Sequence, residues 1–177
     1  KCQALAQEKW VSERLQRILP VRHFHVVFTL PSDLRALAAY RPVRIYDLLF
    51  ETASATLLEV GRGDKLGAQL GVTAVLHTWT RELGLHPHLH CIVTGGGLAL
   101  DGARWIRARA DYLLPVRVLG AVFRGKFLSA LRREHEALVL VEARHDPAQF
   151  AQHMRSSRSY LPLRRKSPVL VPVSPSC

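Results

Sequence analysis

Histidines stand at alternate positions in His86-Pro87-His88-Leu89-His90-Cys91-Ile92-Val93-Thr94, and the run closes on Gly95-Gly96-Gly97. Alternation is the period of a β-strand, whose successive side chains point to opposite faces. His86, His88 and His90 then share one face at a spacing of roughly 6–7 Å, and Leu89, Cys91 and Val93 point into an apolar core. Hard divalent ions favour oxygen, but manganese also accepts imidazole. Two imidazoles on a rigid strand can hold such an ion and leave positions for a third protein ligand and a phosphate. An ion so placed withdraws charge from the phosphate and stabilises displacement at phosphorus. His77, on the segment before the run, is a candidate third ligand, as are His86 and His25. The pair His23-Phe24-His25 has the same spacing, so the pattern alone does not choose between the two places. The later pair is preferred because a third histidine continues its register. Beside it, the glycines would let a backbone approach a nucleic acid closely. The bland alternative makes His86 and His88 ordinary loop and strand-edge residues.

Several elements must position that strand. Residues 3–19 read as a helix with Ala4, Val11, Leu15 and Ile18 on one face, stopped by Pro20. Residues 23–30 read as a strand with Phe24, Val26, Phe28 and Leu30 on its buried side, ended by Pro31. Residues 43–60 carry Ile45, Leu48, Leu49, Thr52, Thr56, Leu57 and Val60 at helical spacing, with Gly61 placed as the C-terminal cap. Residues 71–80 alternate and are β-branched, hence a strand, and the short link to the histidine run predicts an antiparallel hairpin. Asp101-Gly102 is a favoured turn for a second hairpin. Pro115 opens a helix over residues 115–140 with Val118, Val122, Leu128 and Leu131 as its contacts, and Asp146-Pro147 would start a last short one. Locally paired strands mixed with helices predict an α+β fold, a single antiparallel sheet carrying the histidine strand with helices packed on one face.

A chain of 177 residues supports one domain with a proper core. No run of about eighteen apolar residues occurs, so no membrane span is expected. No secretory segment opens the chain, which leaves the cytoplasm as the default location. Three widely spaced cysteines make no disulfide framework and suit a reducing compartment. The net charge is +11, mostly from arginine, whose guanidinium pairs with phosphate in a bidentate fork. Nucleic acid is the expected partner. Arg155, Arg158, Arg164, Arg165 and Lys166 form a carboxylate-free run that would grip a DNA backbone. Arg104, Arg107 and Arg109 near Trp105 offer a second surface, where an indole could stack on an unpaired base. Trp79 and Trp105 otherwise read as core or hairpin packing.

Five segments together carry a family likeness: Cys2-Gln-Ala-Leu-Ala-Gln7 with Trp10, Phe24-His-Val-Val-Phe-Thr-Leu-Pro31, Leu76-His-Thr-Trp79, His86 through Gly97, and Phe123-Arg-Gly-Lys-Phe-Leu128. In this order and spacing the chain resembles the rolling-circle insertion-sequence transposases of the HUH class, the IS91-like family, over about residues 2–140. The resemblance implies that His88 and His90 hold Mg or Mn, and that the strand Phe24–Leu30 is a neighbour without a ligand role. It implies single-stranded DNA at transposon ends as the partner, for nicking and strand transfer. It also implies an upstream zinc-binding cysteine cluster, of which Cys2 would be the last remnant. One cysteine makes no tetrahedral site, so zinc is not expected here.

In that family a helix after the core carries the tyrosine whose phenol attacks the phosphate, leaving a 5′-phosphotyrosyl link and a free 3′-hydroxyl. Nothing here matches that helix. Tyr160 stands alone and Pro162 would end a helix beside it, while Tyr40, Tyr46 and Tyr112 read as packing or loop residues. The nucleophile is thus unassigned, with Tyr160 a poor candidate. The expected organisation is a zinc-region remnant and linking helix at 1–20, a transposase core at 21–154 and a basic, disordered or frameshifted tail at 155–177. By this reading the chain is a fragment, truncated at both ends, that binds DNA and lacks cleavage by itself. Three other readings stay open: a non-catalytic nucleic-acid-binding module, an inactive gene remnant, and a metal-dependent hydrolase of a small substrate. The last would need a carboxylate beside the histidines, and Glu82 is the nearest.

Overall fold

A computed structural model of the chain describes residues 2–80 and 84–145. The helix expected at Asp146, together with Tyr160, Arg155, Arg158, Arg164, Arg165, Lys166 and Glu82, lies outside the described residues.

The histidine run forms the longest strand, β3 (Leu85–Ala99), and it is the middle of the sheet. Strand β1 (His23–Thr29) pairs along one side and β2 (Ala68–Trp79) along the other, both antiparallel to it. Strand β4 (Trp105–Arg107) adds to the far end of β3 across the turn at Asp101-Gly102, where Gly102 takes φ 73° and Ala103 N–H donates to the Asp101 carboxylate. Flanking β3 on opposite sides, β1 and β2 run parallel to one another, so a crossover must join them. Helix α2 (Arg35–Tyr40) and helix α3 (Pro42–Arg62) make it. Pro42 opens α3, where its missing N–H is no loss. Helix α4 (Val116–His145) packs against α3, fastened at the surface by Arg44–Glu134 and by Lys126–Glu59 at 2.6 Å. Helix α1 (Cys2–Leu15) precedes β1.

The period-2 pattern of β3 sorts its residues as expected. Leu89, Cys91 and Val93 are buried on the helix side, together with Phe28 of β1, Leu49 and Leu57 of α3, and Phe123 and Phe127 of α4. The Phe28 and Phe123 rings meet at 4.8 Å between centroids, which seats α4 on the sheet. The other sheet face carries the histidines. This is the α+β arrangement, one antiparallel sheet with helices on one face.

Four local expectations change. Helix α1 ends at Leu15 rather than residue 19, in a turn that leads to Pro20. Gly61 is not the cap of α3: it is buried inside the helix, where a Cβ would lie 2.8 Å from Leu70 Cδ1, and Gly63 follows as the cap. Helix α2 is an added element with no sequence signal, because six residues that bury only Ala38 show no period. The glycine run does not end β3 either. A Cβ at Gly97 would meet the Gln69 carbonyl oxygen at 2.2 Å, one at Gly95 the Arg22 carbonyl oxygen at 2.7 Å, and Gly96 takes φ 144°. The room these glycines provide is filled by the chain's own backbone, not left open to a nucleic acid. Among the described residues, no helix is long and apolar enough to cross a membrane.

Candidate metal centre

Register, not sequence proximity, assembles the site. On β3, His88 and His90 point out from the open face, and His77 of β2 is the residue paired with His88. The donor nitrogens of His77, His88 and His90 all lie within 4.8 Å of one another. Ring centroids are 5.4 Å apart for His77–His88, 4.3 Å for His77–His90 and 4.9 Å for His88–His90.

Two hydrogen bonds orient the rings. His88 Nδ1 lies 2.6 Å from the His86 carbonyl oxygen. A carbonyl can only accept, so Nδ1 carries the proton and Nε2 keeps a free lone pair. His90 Nδ1 lies 2.6 Å from His25 Nε2, the two rings nearly parallel. When His90 gives Nε2 to a ligand, its Nδ1 bears the proton and donates to His25. This is the usual outer-sphere support of a metal-bound histidine. His25, one of the candidate ligands, thus stands behind His90 as its hydrogen-bond partner, and sequence spacing gave no sign of that.

The electrostatics favour the neutral ring at His90, His25 and His86. Burial, then the neighbouring His77, His25 and His88, push His90 down to about 4. Burial and His77 lower His25, while burial, His88 and Arg35 lower His86. The chemistry of the set, three imidazoles converging with the His88 ring held by the His86 carbonyl, fits a borderline divalent ion. No Asp or Glu occurs in β1, β2 or β3, so these strands bring no carboxylate to the face.

The remaining candidates fall elsewhere. His86 is outside the converging set, its ring 5.5 Å from that of His88 and its Nδ1 buried without a partner. His23 is paired with Thr94, away from His88 along β3. Arg104, Arg107 and Arg109 are exposed around β4. Trp105 is half-buried and its Nε1 lies 2.8 Å from where a Cβ of Gly96 would stand, which is packing. Trp79 is different: it is 59% exposed, so core packing does not account for it. Tyr46 packs on the core, Tyr40 lies exposed beneath the Arg41 guanidinium, and Tyr112 is bridged to Arg109. Cys2 lies at the start of α1.

Comparison with known proteins bears on this geometry. Residues 71–160, half of the chain and including the whole histidine run, match the family model described as "Putative transposase", and residues 1–30 match a "Transposase zinc-binding domain". The chain belongs to this transposase family. Its place is among the IS91-like transposases. Its relatives include the "Putative transposase y4qJ" of Sinorhizobium fredii, 44% identical over 134 residues, 75% of this chain and 34% of that protein. The transposase for insertion sequence element IS801 of Pseudomonas savastanoi pv. phaseolicola is 32% identical over 126 residues, 64% of this chain and 30% of that protein. The chain therefore spans about a third of the length of these relatives. The fold is similar to that of the conjugative relaxase TrwC in complex with oriT DNA. The TM-score is 0.51 for a metal-free structure, at 20% identity over 63% of this chain and 44% of the relaxase. A metal-bound structure gives 0.50 at 22% identity, over the same shares of the two chains.

Proposed function

We propose that this part of the transposase binds single-stranded DNA at the transposon ends and holds a divalent ion on His77, His88 and His90 for strand nicking and transfer. The convergence of three imidazole donors within 4.8 Å on the open face carries the reading. The donor set favours manganese over magnesium, which prefers oxygen and keeps its waters. Bound there, the ion would supply Lewis-acid polarisation of the scissile phosphate. The chain's own part is to aim His88 through the His86 carbonyl and His90 through His25, and to keep carboxylates off the strands that meet the phosphate.

None of the described tyrosines stands with the histidines. The nucleophile is assigned to a tyrosine elsewhere in the transposase, and Tyr160 is the candidate that this chain retains. Attack by a phenol oxygen forms the 5′-phosphotyrosyl bond and releases the 3′-hydroxyl. Residues 21–154 are proposed as the core unit, with 1–20 belonging to the zinc-binding region and 155–177 to a basic tail. Support for the DNA partner comes from the +11 charge and from oriT DNA in the TrwC complexes. Exposed Arg104, Arg107 and Arg109 would hold the backbone. The cytoplasm, where the DNA is, is the proposed place of action.

Calorimetric titration of manganese into the protein and into its His88→Ala/His90→Ala variant tests the site. Binding by the parent that the double variant abolishes is the expected result. DNA binding that is indifferent both to manganese and to His88→Ala would replace this reading with that of a non-catalytic nucleic-acid-binding module.

A further inference from the structure

We infer that Trp79 is the stacking platform for one unpaired base of the DNA strand whose phosphate lies at the histidines. This rests on the single-strand reading above. His77 and Trp79 are both exposed while Thr78 between them is half-buried, so the indole and the imidazole leave β2 on the same face. Along a strand that spacing is about 6.6 Å, within reach of the nucleotide next to a phosphate held at His77. The register shift between His77 and Trp79 pairs Trp79 with Leu85, so the indole stands just beyond the metal ligands.

Burial normally claims an indole, which brings 150–250 Å² of apolar surface to a core or interface, as a general figure of about that size. Trp79 at 59% exposed has no such use within the described residues, whereas Trp105 of the same chain is packed over Gly96. Its surroundings also select the occupant. A protein-docking tryptophan sits inside an apolar patch with charges at the rim. Trp79 instead stands two residues beyond His77 and opposite Leu85, on strands without a carboxylate, in a chain of net charge +11. A flat π-face at the end of strands that carry imidazoles and no Asp or Glu matches the two parts of a nucleotide, a base to stack and a phosphate to attract.

Fluorescence anisotropy with labelled single-stranded oligonucleotides tests it, using the parent chain, Trp79→Ala, Trp79→Leu and Trp79→Phe. Stacking predicts a loss of about 5- to 150-fold in affinity for Ala, a similar loss for Leu, and most of the affinity kept by Phe. Manganese affinity and the thermal midpoint should stay as in the parent. An abasic scan sharpens the reading: one missing base should weaken the parent and leave Trp79→Ala indifferent. Ala binding as tightly as the parent, or Leu restoring what Ala loses, would overturn the inference and point to no contact or to a merely apolar one. A parent that binds no single strand would overturn the DNA reading with it. A parent whose binding falls with His88→Ala but not with Trp79→Ala would overturn this inference alone.

Discussion

Leu89 and His90 are neighbours in the chain and belong to regions with opposite physical demands. Leu89 faces the helices, fully buried among Phe28, Leu49 and Phe123. His90 faces outward, hydrogen-bonded to His25 and surrounded by other imidazoles. One face holds the fold together by removing apolar surface from water. The other collects groups that repel one another when protonated, and gains little from packing. The lesson is that a single strand can separate stability from chemistry by alternation alone. Changes on one side should then unfold the protein and changes on the other should disarm it.

The largest test is direct. Leu89→Ala should cost about 2–5 kcal/mol in urea denaturation, whereas His90→Ala should remove manganese binding with little or no loss of stability. Equal losses from the two would dissolve the distinction. Next comes the strand itself: a methyl at Gly97 must displace the Gln69 carbonyl, and Gly97→Ala should cost about 1–3 kcal/mol by the same measurement. Such a loss would show that the glycine run serves strand pairing. A smaller effect concerns the outward face without metal. His90 is lowered from 6.5 to about 4 in the folded chain, so the unfolded chain binds more protons between those values. With a chelator present, stability should be at its full value above about pH 6.5 and fall as the pH drops towards 4. The thermal midpoint of His90→Asn should depend less on pH over that window. Least of all, Lys126→Ala should change stability by no more than about 1 kcal/mol, since its bridge to Glu59 lies at the surface and is partly exposed.

Much of this contrast is legible in the residues. The alternation at Leu89, Cys91 and Val93 gives the buried side of β3, and the apolar spacing of Ile45, Leu48, Leu49 and Leu57 gives the inner face of α3. The short link between β2 and β3 gives their pairing, and from it the nearness of His77 to His88. What a single sequence hides is contact between distant segments. His25 and His90 are 65 residues apart, and only the placement of β1 beside β3 brings them together. His86, by contrast, has the right period, yet the register shift between His77 and Trp79 falls where it pairs, and the converging set leaves it out. The indole of Trp79 misled in the other direction, because a large apolar side chain is a core residue by default until its face is known.

The sheet order β1-β3-β2 has a consequence for the lifetime of the centre. His88 and His90 ride on a strand hydrogen-bonded along both sides, whereas His77 is lent by a flanking strand. Amide exchange in such sheets is fastest at the flanks, where opening requires less than global unfolding. Fraying of β2 would withdraw one ligand and leave the other two in place. The slow step in surrendering an ion would then be set by the mobility of an edge, while the geometry of the remaining pair would last as long as the fold.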